Sequence, residues 1–566
     1  MQAHHSFKPD VRIARVLPAL VLSLALAACG GGSSGGGGLS SSSGSGSSSS
    51  SSSSSGSSSS SSGSGSAGSS VSVLTYHNDV ARTGQNLGET ILTPANVKSA
   101  GFGKLGVLPV QGKVDAEPLY VPKLSIAGAV HNVVFVVTEH GLAYAFDADS
   151  LARLWQVSLL GSGETPSNDH GCNQITPEIG ITATPVIDPA AGAHGALYAV
   201  AMSKDSSGNY HQRLHALDLV SGVELGGSPV TIQASYPSKS GQVVFDAGPY
   251  AERAGLLLLN GVIYLSWTSH CDQETYSGWV MGYSQSTLQQ VAVINITPNG
   301  SEGSIWMSGA GLAADSAGNI YFLSANGTFD TVLDSKGFPA DGDFGNAFVK
   351  LSTSGGALAV ADYFTMHNTV AESNADEDLG SGGLIVLPDL KDGSGATRHL
   401  AVGAGKDASI YLINRDAMGK FNASSDSAAY QITQGLSGGV WAMPAYFNGT
   451  VYYGAVGDSL KAFPLVNARL PGTAASNSSA SFDYPGATPG ISANGASNGI
   501  VWAVENGSSG VLHAYDATDL GHELYNSNQA GTRDQFADNK FITPMIANGK
   551  VYVGTPSGVA VFGLLP

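Results

Sequence analysis

Two short stretches concentrate the side chains most able to bind a metal or move a proton. Asn168-Asp169-His170-Gly171-Cys172-Asn173 precedes Pro177-Glu178-Ile179-Gly180, and Ser269-His270-Cys271-Asp272 precedes Tyr276. Each sets an imidazole, a thiol and a carboxylate close together, a ligand set suited to a transition metal. The spacing matches no closed zinc motif, and a disulfide between Cys172 and Cys271 accounts for the same residues more simply. The sequence leaves that pairing open. A third cluster is Asp376-Glu377-Asp378-Leu379, followed by Asp389 and by Gly405-Lys406-Asp407. Acids in such a run read as a solvated loop, and Lys406 as an ordinary ion-pair partner of Asp407 or Asp416. Asn326 precedes Gly327, as turn asparagines in the left-handed conformation do. No Ser-His-Asp arrangement, phosphate-binding Gly-Lys-Ser/Thr loop, paired glycosidase carboxylates or Cys-x-x-Cys-His haem motif can be assembled.

These residues need a scaffold, and internal repeats supply it. Val133 to Leu160 reads as an alternating strand, a turn at His140-Gly141, a second strand, a turn at Asp147-Ala148-Asp149, and a third strand bearing Trp155. The phrase returns from Leu197, Val262, Asn319, Leu400, Val451, Ile500 and Val551. That makes eight copies with a period of about 60 residues. Short strands of period-2 alternation, Gly and Asp turns and no helical periodicity predict an all-β fold: an eight-bladed β-propeller of four-stranded antiparallel blades. The last copy ends at Pro566, one strand short. Gly103 to Val110 has the form of an outer strand, and pairing the two ends closes the ring and removes exposed edges. Trp155 and the Ala-x-Asp turns read as blade packing.

The phrase Val-Tyr-x-Gly-Thr, then Ala-x-Asp-x-x-Ser/Thr-Gly, then Trp, resembles the pyrroloquinoline-quinone (PQQ) repeat of quinoprotein alcohol dehydrogenases and their non-enzymatic propeller relatives. The resemblance covers nearly all of the body. It implies an axial site with a quinone and Ca²⁺, where oxygen ligands suit the metal. Carried onto this sequence, Asn326 becomes the amide ligand and a carboxylate near Asp272 or Glu274 a second ligand. Asp378, eleven residues before Asp389, becomes the base and a further ligand; Lys406 becomes the quinone contact and Trp441 an axial aromatic. Three departures stand against an intact site: there is no Cys-Cys pair, the family's stacking Trp is missing after Gly309-Ala310-Gly311, and no haem motif is present.

The chain begins with a basic n-region (Lys8, Arg12, Arg15) and an apolar run from Val16 to Ala28, too short to span a bilayer. Leu26-Ala27-Ala28-Cys29 resembles the lipobox of bacterial lipoproteins, which implies lipidation of Cys29 and, with Gly30 next, an outer-membrane location. Residues 1–28 are thus expected to be a lipoprotein signal peptide, and 29–70 a Ser/Gly tether with too little apolar surface to fold. Residues 71–102 are read as a cap on one propeller face and 103–566 as the propeller. A formal charge of −18 over 566 residues argues against nucleic acid as a partner. The expected function is that of a membrane-anchored periplasmic or surface propeller acting as a binding or scaffold module toward protein or glycan. The alternative is a divergent quinoprotein oxidoreductase that uses PQQ and Ca²⁺ on an alcohol or sugar.

Overall fold

The computed structural model describes residues 71–566; the expected signal peptide, Cys29 and the tether lie outside the described residues. Eight four-stranded antiparallel blades form a closed propeller. The first blade runs Leu119–Ile126, Ala129–Val137, Leu142–Asp147 and Arg153–Ser158. The axis-lining first strands of the second to fifth blades are Val186–Asp188, Leu257–Leu259, Ala313–Ala314 and Leu384–Val386. Those of the sixth to eighth are Ala445–Phe447, Gly490–Asn494 and Met545–Ala547. In the eighth blade the C-terminal Gly558–Leu564 pairs antiparallel with Phe102–Pro109, so the expected closure occurs one residue earlier than read.

The repeated phrase has a local cause. Asp147 Oδ1 accepts hydrogen bonds from the amides of Asp149 and Ser150 and from the Ser150 hydroxyl. Asp218 repeats the pattern with Val220 and Ser221. A short acceptor side chain that satisfies its own turn is why Asp recurs there. Middle strands are buried on both faces because neighbouring blades cover both, as in Leu142–Asp147, while outer strands such as Arg153–Ser158 alternate. Trp155 donates to Leu219 O at 3.0 Å and so ties the first blade to the second.

The segment after residue 71 does not cover a face; it lies inside the channel. Val73 exchanges two backbone bonds with Tyr120 of the first blade, and Leu74 O accepts from Ile187 N of the second. Val80, Ala81, Thr83 and Gly84 offer their carbonyls to Ala314, Val386, Tyr446 and Ile491 of the fourth to seventh blades. Asn86 Nδ2 donates to Ile546 O of the eighth at 2.9 Å, and Gln85–Asn86 adds a parallel strand to Gly490–Asn494. Arg82 reaches the remaining blade: Nη2 donates to Leu256 O at 3.1 Å, and Nε donates to Leu312 O at 2.9 Å. This clasp touches all eight blades. Both its ends lie at the turns that join first to second strands, where Gly495 N donates to Leu87 O and Val71 packs on Gly88. Edge backbone groups of the first strands are thereby satisfied without water.

Arg82 is fully buried, and burial lowers its pKa to about 10, still well above neutrality. Beside it Glu117 accepts from His77 N at 2.8 Å, and burial pushes Glu117 up to about 8. Among the described residues no helix is long and apolar enough to cross a membrane.

Candidate functional site

On the face opposite the clasp's two ends, the loops leading into the first strands and those joining second to third strands surround an axial cup of about 110 Å³. Its lining includes Asp272, Asn326, Asp378, Lys406 and Trp441. The structure therefore brings these five residues to one cavity. Asp376, Trp306, Tyr276 and Tyr484 join them. Glu274 and Asp389 do not: their side chains are 50% and 70% exposed, beside His170 and His399.

Asn326 follows the strand Ile320–Leu323, and Lys406 follows Leu400–Ala404. Asp376 and Asp378 lie in the connection between the fourth and fifth blades, after the short helix Thr369–Asn374. Two glycines let these loops stack. A Cβ on Gly380 would fall 2.4 Å from the Ala325 backbone, and one on Gly405 would fall 2.5 Å from Leu379. Without side chains at both positions, Lys406 N comes within 3.0 Å of Asp378 O.

Lys406 Nζ then lies 2.5 Å from Asp376 Oδ1 and 2.6 Å from Asp378 Oδ1. The expected partners Asp407 and Asp416 are engaged elsewhere, with Tyr411 OH and His399. Nor is Asp378 a solvated loop acid; it is 5% exposed. Burial raises its pKa above the usual carboxylate range while Lys406 pulls it back. For Lys406 burial acts downward, but Asp378 and Asp376 outweigh it and its pKa is raised. Asn326 Nδ2 donates to Asp376 Oδ1 at 2.9 Å, and its Oδ1 is buried with no hydrogen-bond partner. Asn326 does not have the left-handed backbone expected of a turn residue; Asp272, Glu302 and Asp376 do, with φ of 56°, 62° and 60°. Left-handed acids held at a cleft are the strained positions that cluster at working sites. Burial, then Asp272 and Asp376, raise Glu302.

Aromatic rings from four connections form one wall. Trp441 meets Tyr484 edge-on at 5.6 Å, Tyr484 meets Phe541 at 5.8 Å, and Phe541 meets Trp306 at 5.3 Å. Cations line it: Lys406 lies 5.9 Å from Trp441, Lys540 5.5 Å from Tyr484, and Arg253 4.7 Å from Phe541. Nearer the clasp, Tyr76 OH and Thr543 Oγ1 lie 3.2 Å apart and line a second, smaller cavity with Arg253 and Phe541.

At the rim Cys172 and Cys271 form a disulfide with Cα atoms 5.5 Å apart. Their thiolates are thus unavailable to a transition metal, and among the described residues no group of three or more His, Cys, Asp or Glu side chains is arranged to hold one. Beside the bond His170 and His270 stack at 4.4 Å, and burial followed by His170 lowers His270 to about 4. The bond spans 99 residues of sequence. Replacing both cysteines with serine is expected to lower unfolding free energy by about 4–5 kcal/mol, because the unfolded chain regains loop entropy. Urea melts of the variant and of the oxidised protein measure the difference.

Two features of the cup stand against a PQQ centre. PQQ is a tricarboxylate, and the cup's central lysine is already paired with two carboxylates. The Ca²⁺ set expected from Asp272, Asn326 and Asp378 shares one cavity, but the ammonium of Lys406 stands between Asp376 and Asp378.

No family model matches the chain, and no curated protein matches it. Solved structures do. The quinohemoprotein alcohol dehydrogenase of Comamonas testosteroni is similar with a TM-score of 0.58 and 14% identity, over 88% of this chain and 81% of that one. A europium-containing methanol dehydrogenase is similar with a TM-score of 0.56 and 12% identity, over 87% and 98%. Identity this low speaks for architecture and not for chemistry: this chain has the eight-bladed, PQQ-type propeller fold.

Proposed function

We propose that the protein is an exported, lipid-anchored binding propeller, on the periplasmic side of the outer membrane or at the cell surface, that uses its axial cup as the ligand site. The observation that carries this reading is the Lys406–Asp376–Asp378 arrangement, which sets one ammonium between two carboxylates in the lining of the cup. The aromatic wall gives the cup a surface for a ring.

The second reading, a divergent quinoprotein oxidoreductase, is favoured by Asn326, Asp272 and Asp378 sharing one cavity. One experiment separates the two. Full-length protein in detergent is incubated with PQQ and Ca²⁺, and absorbance and dye reduction with alcohols and sugars are followed. The binding reading expects no saturable uptake of quinone. Stoichiometric uptake with substrate-dependent dye reduction would overturn it.

A further inference from the structure

We propose that the cup takes one neutral sugar ring, a hexopyranose unit of a glycan, an inference that rests on the binding reading above. The charges around the cup narrow the ligand. Asp376 and Asp378 pair with Lys406, and Asp272 shares the lining, while Lys540 and Arg253 lie against the aromatic wall. An anion meets the carboxylates, and an organic cation meets ring faces that already carry ammonium or guanidinium groups. A neutral ligand avoids both costs.

Hydroxyls suit what is left. Each donates one hydrogen bond and accepts others, and the lining offers both kinds of partner at close spacing. Asn326 Oδ1 is a buried acceptor without a donor; a sugar hydroxyl supplies one and removes the cost of leaving it empty. Gln174 and the ammonium of Lys406 supply donors, and Asp272 and Asp376 supply acceptors. Trp441 and Trp306 offer apolar ring surface for the C–H face of a pyranose. The geometry is held in advance: Ser269 and Tyr276 hydroxyls both donate to Asp272, and the disulfide fixes the adjoining rim. A preorganised site of this kind loses little entropy when the ligand enters. An open mouth lets the rest of a chain project outward.

The test uses full-length protein in detergent with glucose, galactose, mannose and N-acetylglucosamine, and with choline and gluconate as charged controls. Calorimetry and intrinsic tryptophan fluorescence follow binding. At least one neutral hexose should bind saturably with a dissociation constant on the order of 1 mM or tighter, and neither control should. Asp376→Asn and Trp441→Phe should each weaken that sugar at least tenfold while circular dichroism confirms folding. Binding of choline or gluconate alone, no hexose binding, or hexose binding unchanged in both folded variants would overturn the sugar assignment. These results leave the binding reading standing unless PQQ is also taken up, so the two failures are distinguishable.

Discussion

Arg82→Ala lowers the unfolding free energy of the propeller by about 5 kcal/mol, the sum expected when several buried acceptors lose one shared donor. Wild-type Arg82 donates to Leu312 O, Leu256 O, Tyr76 O and Thr75 Oγ1, at 2.9, 3.1, 2.8 and 2.6 Å. All four acceptors lie where water does not reach, and alanine satisfies none of them. Arg82→Lys should recover only part of the loss, because a lysine has three donors and no planar fork. The loss should concentrate in the ring closure. Val80, Ala81, Thr83 and Gly84, which flank Arg82, bind four successive blades, so a displaced arginine releases them together. Urea melts give the free energy. Hydrogen exchange should show the first strands of the fourth to seventh blades losing protection before the outer strands do.

The clasp was the part of the fold least legible in the sequence, and the physics of its contacts says why. Blade strands announce themselves locally, through alternation and through an Asp that binds the amides two and three residues ahead. Clasp residues are recognised by backbone groups far away in the chain, as Leu74 is by Ile187 and Asn86 by Ile546. Backbone carbonyls carry no side-chain signature, so Tyr76 to Asn86 showed only a high density of polar groups. That density pointed to a cap. The stretch instead provides an internal ring of hydrogen bonds.

The cup was legible where it follows strand ends. Asn326 and Lys406 keep the register of the repeat, and register places side chains on the axis. What the repeat could not convey was pairing. Asp407 is next to Lys406 in sequence but points to Tyr411, whereas Asp376 and Asp378 approach across a glycine-lined loop contact. Trp306, Tyr484 and Phe541 were missed because connections between blades do not repeat. A usable signal was present: each of these aromatics, like Trp441, lies four to seven residues before the first strand of its blade.

Lys406→Met provides the most direct test of that internal ion cluster. Removing the ammonium leaves Asp378 buried without a counter-charge, and breaking a buried pair from one side costs about 3–5 kcal/mol. Asp376 is 76% exposed and contributes little by comparison. The penalty should depend on pH with a definite sign. Asp378 already lies above its unfolded value because of burial, and losing Lys406 moves it further up. A carboxyl raised in the folded state is fully accommodated below its unfolded pKa and destabilises increasingly as pH rises through its folded pKa. The variant should therefore be closest to wild type near about pH 4 and furthest from it near about pH 8, a range in which the unfolded aspartate is becoming or is already ionised. Adding Asp378→Asn removes the charge that causes the penalty. The double variant should regain about 2–3 kcal/mol at the higher pH, a coupling typical of residues in direct contact, and should lose the pH slope. A Lys406→Met melt that is flat with pH, or a double variant no more stable than the single one, would mean that Asp378 does not depend on the lysine. The cup would then be polar by solvation and not by the internal pair on which its binding role is argued.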